Sequence, residues 1–429
     1  MQSSQHKYLL IFVLGLVIGL SILAFRNFYE QKTGISKSAW YTTELQEGDS
    51  KNFFDRAIAI YEGKHYYAGC ENTPIVAFYR PPGYSFFMAF SFMAFGVYFK
   101  AIIILQVIIA SMIIVLISKI SDLVFNKMIS SISSVLAIMY YPMWNNAMII
   151  NSELLSAFIG LLALYFILKF YFIEKGSIKN LIISGIFVGL ASLTRGQFFF
   201  YSLLLPIFIF GSTKGDFRNK INYTFIWFGV LLMPILIWTL YAYISSGLFI
   251  FISSQGAYSI WWGWSVMVVL EEKYPLWNQS WDTGFLKDDM IGSYLPYKPS
   301  SWFLSESLNF IFKYPIESMK IAYYKFIDSW GFIDIYVKEG LFSKVISVLK
   351  FNWDLFLSIP GIYIIWKEKL NKTFLYYLLS AFIIFSVISV MTAGLVRYRI
   401  PYLDPLLIIA ASVTIQKIYS SYILKNKTK

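Results

Sequence analysis

The chain has 429 residues, of which 58 % are hydrophobic, 20 % aromatic and 14 % charged. Soluble domains carry about 25 % charged residues, so this composition excludes an ordinary soluble globule and points to an all-α polytopic membrane protein. The net charge of +12 does not indicate a nucleic-acid partner, because the lysines fall in short clusters between apolar runs, where they act as topology signals.

In chain order, the run from Tyr8 to Phe25 lacks a signal-peptide cleavage pattern and is long enough to remain as a first span. Ten spans are expected, at 8–26, 98–121, 128–147, 153–172, 179–194, 197–212, 222–245, 350–367, 373–393 and 402–423. The apolar runs are continuous instead of alternating, which excludes a β-barrel. After the first span, EGDSKNFFDRAIAIYEG (47–63) places Phe53, Phe54, Ala57, Ile58 and Tyr61 at helical spacing, with Lys51, Asp55, Arg56 and Glu62 on the other faces. It reads as an amphipathic helix on the membrane surface, ended at Gly63. Asp49 stands just before it, either as an N-cap or as a carboxylate held at the lipid–water boundary for general-base work; Ser50 offers an alternative cap.

FYRPPGYSFFMAF (78–90) follows, with Arg80 and two prolines in front of an apolar segment. Residues 86–96 are too few to span, so a re-entrant or interfacial segment is expected there. Alternate connections carry Lys119 and Lys127; Lys169, Lys175 and Lys179; Lys214, Arg218 and Lys220; and Lys367, Lys369 and Lys372. By the positive-inside rule these are cytoplasmic, as are both termini. The chain then divides into an N-terminal transmembrane catalytic module at 1–245 with a first outer loop at 27–97, a long outer segment at 246–350, and C-terminal helices at 351–429. On this topology Asp49, Arg80, Glu153, Arg195, Arg397 and Arg399 all come out on the outer side near the interface. Ionisable residues there are costly enough to suggest function; singly, each also reads as an anchor that snorkels to headgroups.

Cys70 is the only cysteine, and neither His6 nor His65 has a ligand-like neighbour, so no metal-binding cluster is evident. The outer segment is rich in tryptophan, including Trp261, Trp262, Trp264, Trp277, Trp281, Trp302 and Trp330. Tryptophan stacks on sugars and also concentrates at membrane interfaces.

The order of these parts resembles the GT-C glycosyltransferases, in the protein-mannosyltransferase and aminoarabinose-transferase-like branch. The resemblance is carried by GDS with its amphipathic helix, then YRPPGY, INSELLSAF, GLASLTRG and LVRYRIP. SSQGAYSIWWGWS (253–265) is similar to the start of that family's outer loop, and KYPIESMKIAYYKFIDSWG (313–331) to the helix that returns to the membrane. The resemblance implies a GT-C-type bundle of about ten helices. It implies an enzyme that moves a sugar, with inversion, from a polyprenyl-phosphate or polyprenyl-diphosphate donor lipid to a glycan, lipid or protein acceptor on the non-cytoplasmic face. Asp49 corresponds to the family's first-loop carboxylate, and Arg80 to its basic position before the prolines. Glu153 corresponds to the acidic position that orients the acceptor, holds a metal or fixes Arg80; opening a span, it equally reads as a charge favoured at a helix N-terminus. Arg195 and Arg397 are candidate phosphate or sugar contacts, Tyr398 a candidate for stacking on a sugar, and Trp261, Trp262 and Trp264 candidates for acceptor contact. The chain departs from the best-known relatives in having Ser50 where they often carry a second acidic residue, so Glu47 and Asp55 remain alternatives for the base. It also lacks an Asp-x-Asp pattern, so no obligatory metal is expected, although a divalent metal is not excluded. Two other classes predict different features. An O-antigen ligase or polymerase would put its key residues in later loops, and a flippase or transporter would show internal repeats and mid-membrane polar groups.

Overall fold

The structure, a computed structural model, describes residues 2–33, 49–71, 74–174, 176–212, 216–266, 300–331, 341–392 and 394–427. Among the described residues every regular element is helical. The N-terminal module runs α1 (Gln2–Thr33), α2 (Asp49–Tyr61), the single turn α3 (Pro74–Ala77), α4 (Gly83–Phe95), α5 (Phe99–Val124), α6 (Lys127–Met139), α7 (Tyr141–Ala147), α8 (Glu153–Phe172), α9 (Ile178–Thr194), α10 (Phe198–Ser202), α11 (Pro206–Ser212) and α12 (Phe217–Ser246). The outer segment supplies α13 (Gln255–Trp261), a π-type turn at Trp262–Val266, α14 (Ser300–Lys313) and α15 (Pro315–Ser329). The chain closes with α16 (Leu341–Lys367), α17 (Lys372–Met391), a 3₁₀ turn at Val396–Tyr398 and α18 (Asp404–Lys427).

Among the described residues, six helices are long and apolar enough to cross a bilayer: α1, α5, α8, α12, α17 and α18. The chain is therefore a multi-pass membrane protein. Two expected spans are broken, and proline is the cause in both. Pro142 has no N–H for the Ile138 carbonyl, so α6 stops at Met139 and Tyr140 is extended; the Trp144 Nε1 donates to Ile138 O instead, at 2.7 Å. Pro206 cannot donate to Ser202 O, which is taken by the Leu205 N–H at 3.0 Å in a tight turn between α10 and α11. The expected span at 350–367 is longer than the apolar pattern indicated, with α16 beginning at Leu341.

The amphipathic helix forms as expected, and Gly63 ends it with φ +69, a conformation that favours glycine. Its apolar face meets protein, however. Phe53 and Ala57 are buried against α4, and the Phe53 ring lies 4.9 Å from Tyr84 in an edge contact. Burying one phenylalanine contributes roughly 1.5–3 kcal/mol, which holds α2 down on α4. Arg56 does not face outward: it is buried and donates to the carbonyls of Tyr66 at 2.7 Å and Ala68 at 3.1 Å. Ser50 lies within α2 instead of before it, and its Oγ donates to Ile150 O at 2.9 Å, on the turn before α8.

Helices α8, α9 and α12 pack in sequence, α1 lies on α5, and α18 fills the space between α6 and α16. This alternation brings the start of α8, the ends of α9, α12 and α17, and the start of α18 to one end of the bundle. The RPPG segment reaches the same end. A Cβ at Gly83 would lie 2.9 Å from both Leu193 O and Thr194 Cα. Gly83→Ala is therefore expected to lose about 1–3 kcal/mol through a clash with backbone that cannot rotate away. A lowered melting temperature in detergent would show it; an unchanged one would mean that α4 and α9 separate freely.

Candidate active site

Glu153 opens α8 and is 1 % exposed, yet no helix-dipole argument accounts for its setting. Its Oε1 lies 3.0 Å from Arg195 Nη1 and 3.6 Å from Arg397 Nε. A helix terminus favours a carboxylate by about 0.3–1 kcal/mol. A unit charge at about 4 Å is worth roughly 4 kcal/mol before desolvation at an effective dielectric of about 20. The ion pairs therefore dominate, with the Arg397 share reduced because that side chain is 40 % exposed. The approaches to Oε1 are ion pairs by distance without hydrogen-bond alignment.

Arg195 follows the last turn of α9 and is locked from several directions. Its Nη1 donates to Ser152 Oγ at 3.3 Å and its Nε to Gln197 Oε1 at 3.3 Å, while its guanidinium lies 4.9 Å from the centre of the Tyr398 ring. Gln197 also accepts from the Tyr402 hydroxyl at 3.2 Å, tying the α9 end to the segment before α18. Arg397 rides the 3₁₀ turn between α17 and α18, 5.9 Å from the same tyrosine ring. Glu153, Arg195, Arg397 and Tyr398, which are widely separated in the chain, thus form one contact group.

Arg80 stands three residues before Gly83, which packs against Thr194, the neighbour of Arg195 in the chain. Its Nη1 donates to Gln255 Oε1 at 3.0 Å, and its guanidinium lies 5.2 Å from the centre of the Tyr79 ring. The start of the outer segment is stitched to the same strip, since the Ser254 N–H donates to Phe78 O at 2.9 Å and its Oγ to Ile75 O at 3.0 Å. Asp49 begins α2, and the Ser50 bond brings that end to the Glu153 turn. The Asp49 side chain, Glu47, Trp277 and Trp281 lie outside what the structure describes.

The tryptophans have other neighbours. Trp261 is buried among Tyr258, Trp302 and Phe303, with ring centres 5.8, 6.0 and 5.6 Å away. Trp262 is half-buried against Tyr258 at 5.9 Å. Trp264 is buried under the Lys325 ammonium, 4.1 Å from the ring centre. Lys325, on α15, also donates to Val390 O at 3.1 Å, and burial pushes its amine well below the ordinary lysine value.

Two groups escaped the sequence reading. Arg399, expected with Arg397 on the outer side, turns inward and is fully buried among Asn352, Asp354 and Asp404; the polar residues inside FNWDLF are the signal for it in the sequence. Gln106 stands in the apolar run IIILQVIIA and is buried behind the Glu153 turn.

For a metal, the donor set is poor. Among the described residues no group of three His, Cys, Asp or Glu side chains is placed to hold one, and the carboxylate at the centre of the group, Glu153, already faces two guanidiniums that would repel a cation.

Residues 79–238 match the model of the dolichyl-phosphate-mannose-protein mannosyltransferase family, a span that includes Arg80, Glu153 and Arg195. The oligosaccharyltransferase AglB of Archaeoglobus fulgidus, solved with an inhibitory peptide and a dolichol-phosphate, superposes with a TM-score of 0.57 at 13 % identity, covering 99 % of this chain and 52 % of that one. The chain has the GT-C fold. The apo form of the A. fulgidus oligosaccharyltransferase gives 0.56 at 14 % identity over 98 % of this GT-C chain and 51 % of its own length. Its complex with zinc and sulfate gives 0.53 at 13 % identity over 96 % and 49 %. The chain therefore spans about half the length of these structures. No curated protein matches it.

Proposed function

We propose that this GT-C chain is an inverting glycosyltransferase that takes a sugar from a polyprenyl-phosphate or polyprenyl-diphosphate lipid and passes it to a glycan, lipid or protein acceptor. The observation that carries this reading is the pairing of buried Glu153 with Arg195 and Arg397 at one end of the bundle, the end that the segment after Arg80 also reaches through Gly83. Two guanidiniums meeting at one membrane-edge position, with a third on the segment that packs at the same end, suit an anion whose charge grows as its bond to sugar breaks. Arginine's planar fork binds phosphate oxygens in pairs. Because the cations are fixed beforehand, they stabilise the departing phosphate more in the transition state than in the ground state.

In the reaction, an acceptor hydroxyl or amide attacks the anomeric carbon as the bond from that carbon to the lipid phosphate oxygen breaks. Asp49 takes the acceptor's proton, and the phosphate leaves with the electron pair. Glu153 faces two guanidiniums, and its role is to hold Arg195 and Arg397 in place. Tyr398, lying under both arginines, offers its ring edge to the sugar. The donor lipid enters from the bilayer and the acceptor from the aqueous side, beside the outer segment. The setting is the inner membrane of a bacterium, with both termini cytoplasmic and the site facing outward.

Purified wild type, Asp49→Asn and Arg80→Ala, reconstituted with radiolabelled polyprenyl-phosphate sugars and a membrane extract, test this. Transfer by wild type and its loss in Asp49→Asn, with the protein intact, is the expected result. Transfer that survives in Asp49→Asn would move the base to Glu47, Asp55 or Glu153. Lipid movement across vesicles without transfer from any donor would replace the enzyme with a flippase.

A further inference from the structure

An amide side chain inside an apolar helix needs partners, because bilayer lipid supplies none. Gln106, on α5, is 1 % exposed and has them on two sides. Its Nε2 donates to Ala147 O at 3.0 Å and to Ile149 O at 2.8 Å, and its Oε1 accepts from the Tyr84 hydroxyl at 2.7 Å. The amide orientation follows from these bonds, since reversing it would aim the oxygen at two carbonyls.

The two sides are the two halves of the site. Ala147 and Ile149 belong to the turn that leads into α8; Ile150 receives Ser50, Ser152 receives Arg195, and Glu153 follows. Tyr84 follows Gly83, which fits against Thr194, and closes the segment that begins with Arg80. We infer that Gln106 is a positioning residue that joins the Arg80 segment to the Glu153 turn and so sets the spacing between Arg80 and the Glu153–Arg195 pair. The inference rests on the lipid-phosphate reading of that site. Supporting groups of this kind hold binding side chains within the narrow tolerance that their function needs.

A merely structural amide would satisfy turn carbonyls and affect every property through stability alone. A positioning amide acts through Arg80, and a double-mutant cycle separates the two. The readout is binding of undecaprenyl phosphate to the full chain in nanodiscs, for wild type, Gln106→Met, Arg80→Ala and the double variant. Gln106→Met is expected to weaken binding about tenfold on its own and by less than about twofold when Arg80 is already alanine. Tyr84→Phe, which removes one hydroxyl and leaves the two bonds from Gln106 to Ala147 and Ile149, is expected to weaken binding about threefold and to show the same loss of effect without Arg80. It carries the test if Gln106→Met does not fold. Wild-type affinity in Tyr84→Phe and Gln106→Met, or losses that simply add to that of Arg80→Ala, would overturn the inference while leaving the functional reading intact. No binding by wild type, or no effect of Arg80→Ala, would overturn the lipid-phosphate reading and the inference with it.

Discussion

Arg399→Met is expected to cost the folded protein about 3–5 kcal/mol, the usual result of removing one partner from a buried charged group. Arg399 is fully buried, as are Asp354 and Asp404. Its Nε meets Asp404 Oδ1, its Nη1 donates to Asn352 Oδ1 at 2.7 Å, and its Nη2 lies 3.4 Å from Asp354 Oδ1. The Tyr140 hydroxyl donates to the other Asp404 oxygen, and the Trp330 ring centre lies 5.6 Å from the guanidinium. Methionine fills much of the same volume but leaves two carboxylates without their cation. Neutralising both, in Arg399→Met with Asp354→Asn and Asp404→Asn, is expected to recover most of the loss. Arg399→Lys is expected to fall between, because an ammonium cannot serve three oxygens in a plane. Melting in detergent reads all three variants. Wild-type melting for Arg399→Met alone would mean that the carboxylates are already neutralised by another route.

This cluster bears on the site because of where the chain goes next. Arg397 faces Glu153, Tyr398 underlies both site arginines, and Arg399 is gripped from α16 and α18. The Arg399 carbonyl also accepts from the N–H groups of Tyr402, Leu403 and Asp404, which starts α18. One short turn thus carries Arg397, a proposed phosphate contact, and the buried anchor beside it.

The two arginines of LVRYRIP illustrate what the sequence could and could not disclose. Their type and their place between two apolar runs marked the segment as unusual. Which one faced the site depended on helices α7, α8, α16 and α18, whose meeting is tertiary. The same holds for α2: the spacing of Phe53, Phe54, Ala57 and Ile58 located its apolar face, but a bilayer and the α4 surface look alike to such a face. Arg56 was placed outside because helical spacing cannot show the carbonyls of Tyr66 and Ala68 waiting on the inner side. Spans were legible where apolar runs were long. They were misjudged at Pro142 and Pro206, where one missing N–H broke the helix within an unbroken apolar run. Glu153 and Arg195 were both recognisable as charged residues at span ends, while their contact across the antiparallel pair α8 and α9 became visible only in the folded chain.

Glu153→Gln distinguishes an anchor from a base. Glutamine keeps the shape and removes the charge that draws Arg195 and Arg397 together. If Glu153 anchors them, the substitution releases both guanidiniums, donor-lipid affinity falls, and transfer drops by about 10²–10³-fold, the usual cost of losing one preorganised stabilising contact. If Glu153 took the acceptor's proton, donor affinity would hold or rise, because an anion would be gone from beside the lipid phosphate, and the loss would lie in kcat alone. The two outcomes differ in the KM for the donor, which rises if Glu153 is an anchor and holds or falls if it is a base. Asp49→Asn supplies the contrast, since a base variant is expected to lower kcat with little change in that KM. Arg195→Lys adds a further check. It keeps the charge opposite Glu153 but gives up the fork that reaches Ser152 and Gln197 as well. Its loss should resemble that of Glu153→Gln more than that of Asp49→Asn. A rise in donor affinity in Glu153→Gln would remove Glu153 from the anchoring role and make it, with Asp49, a candidate base.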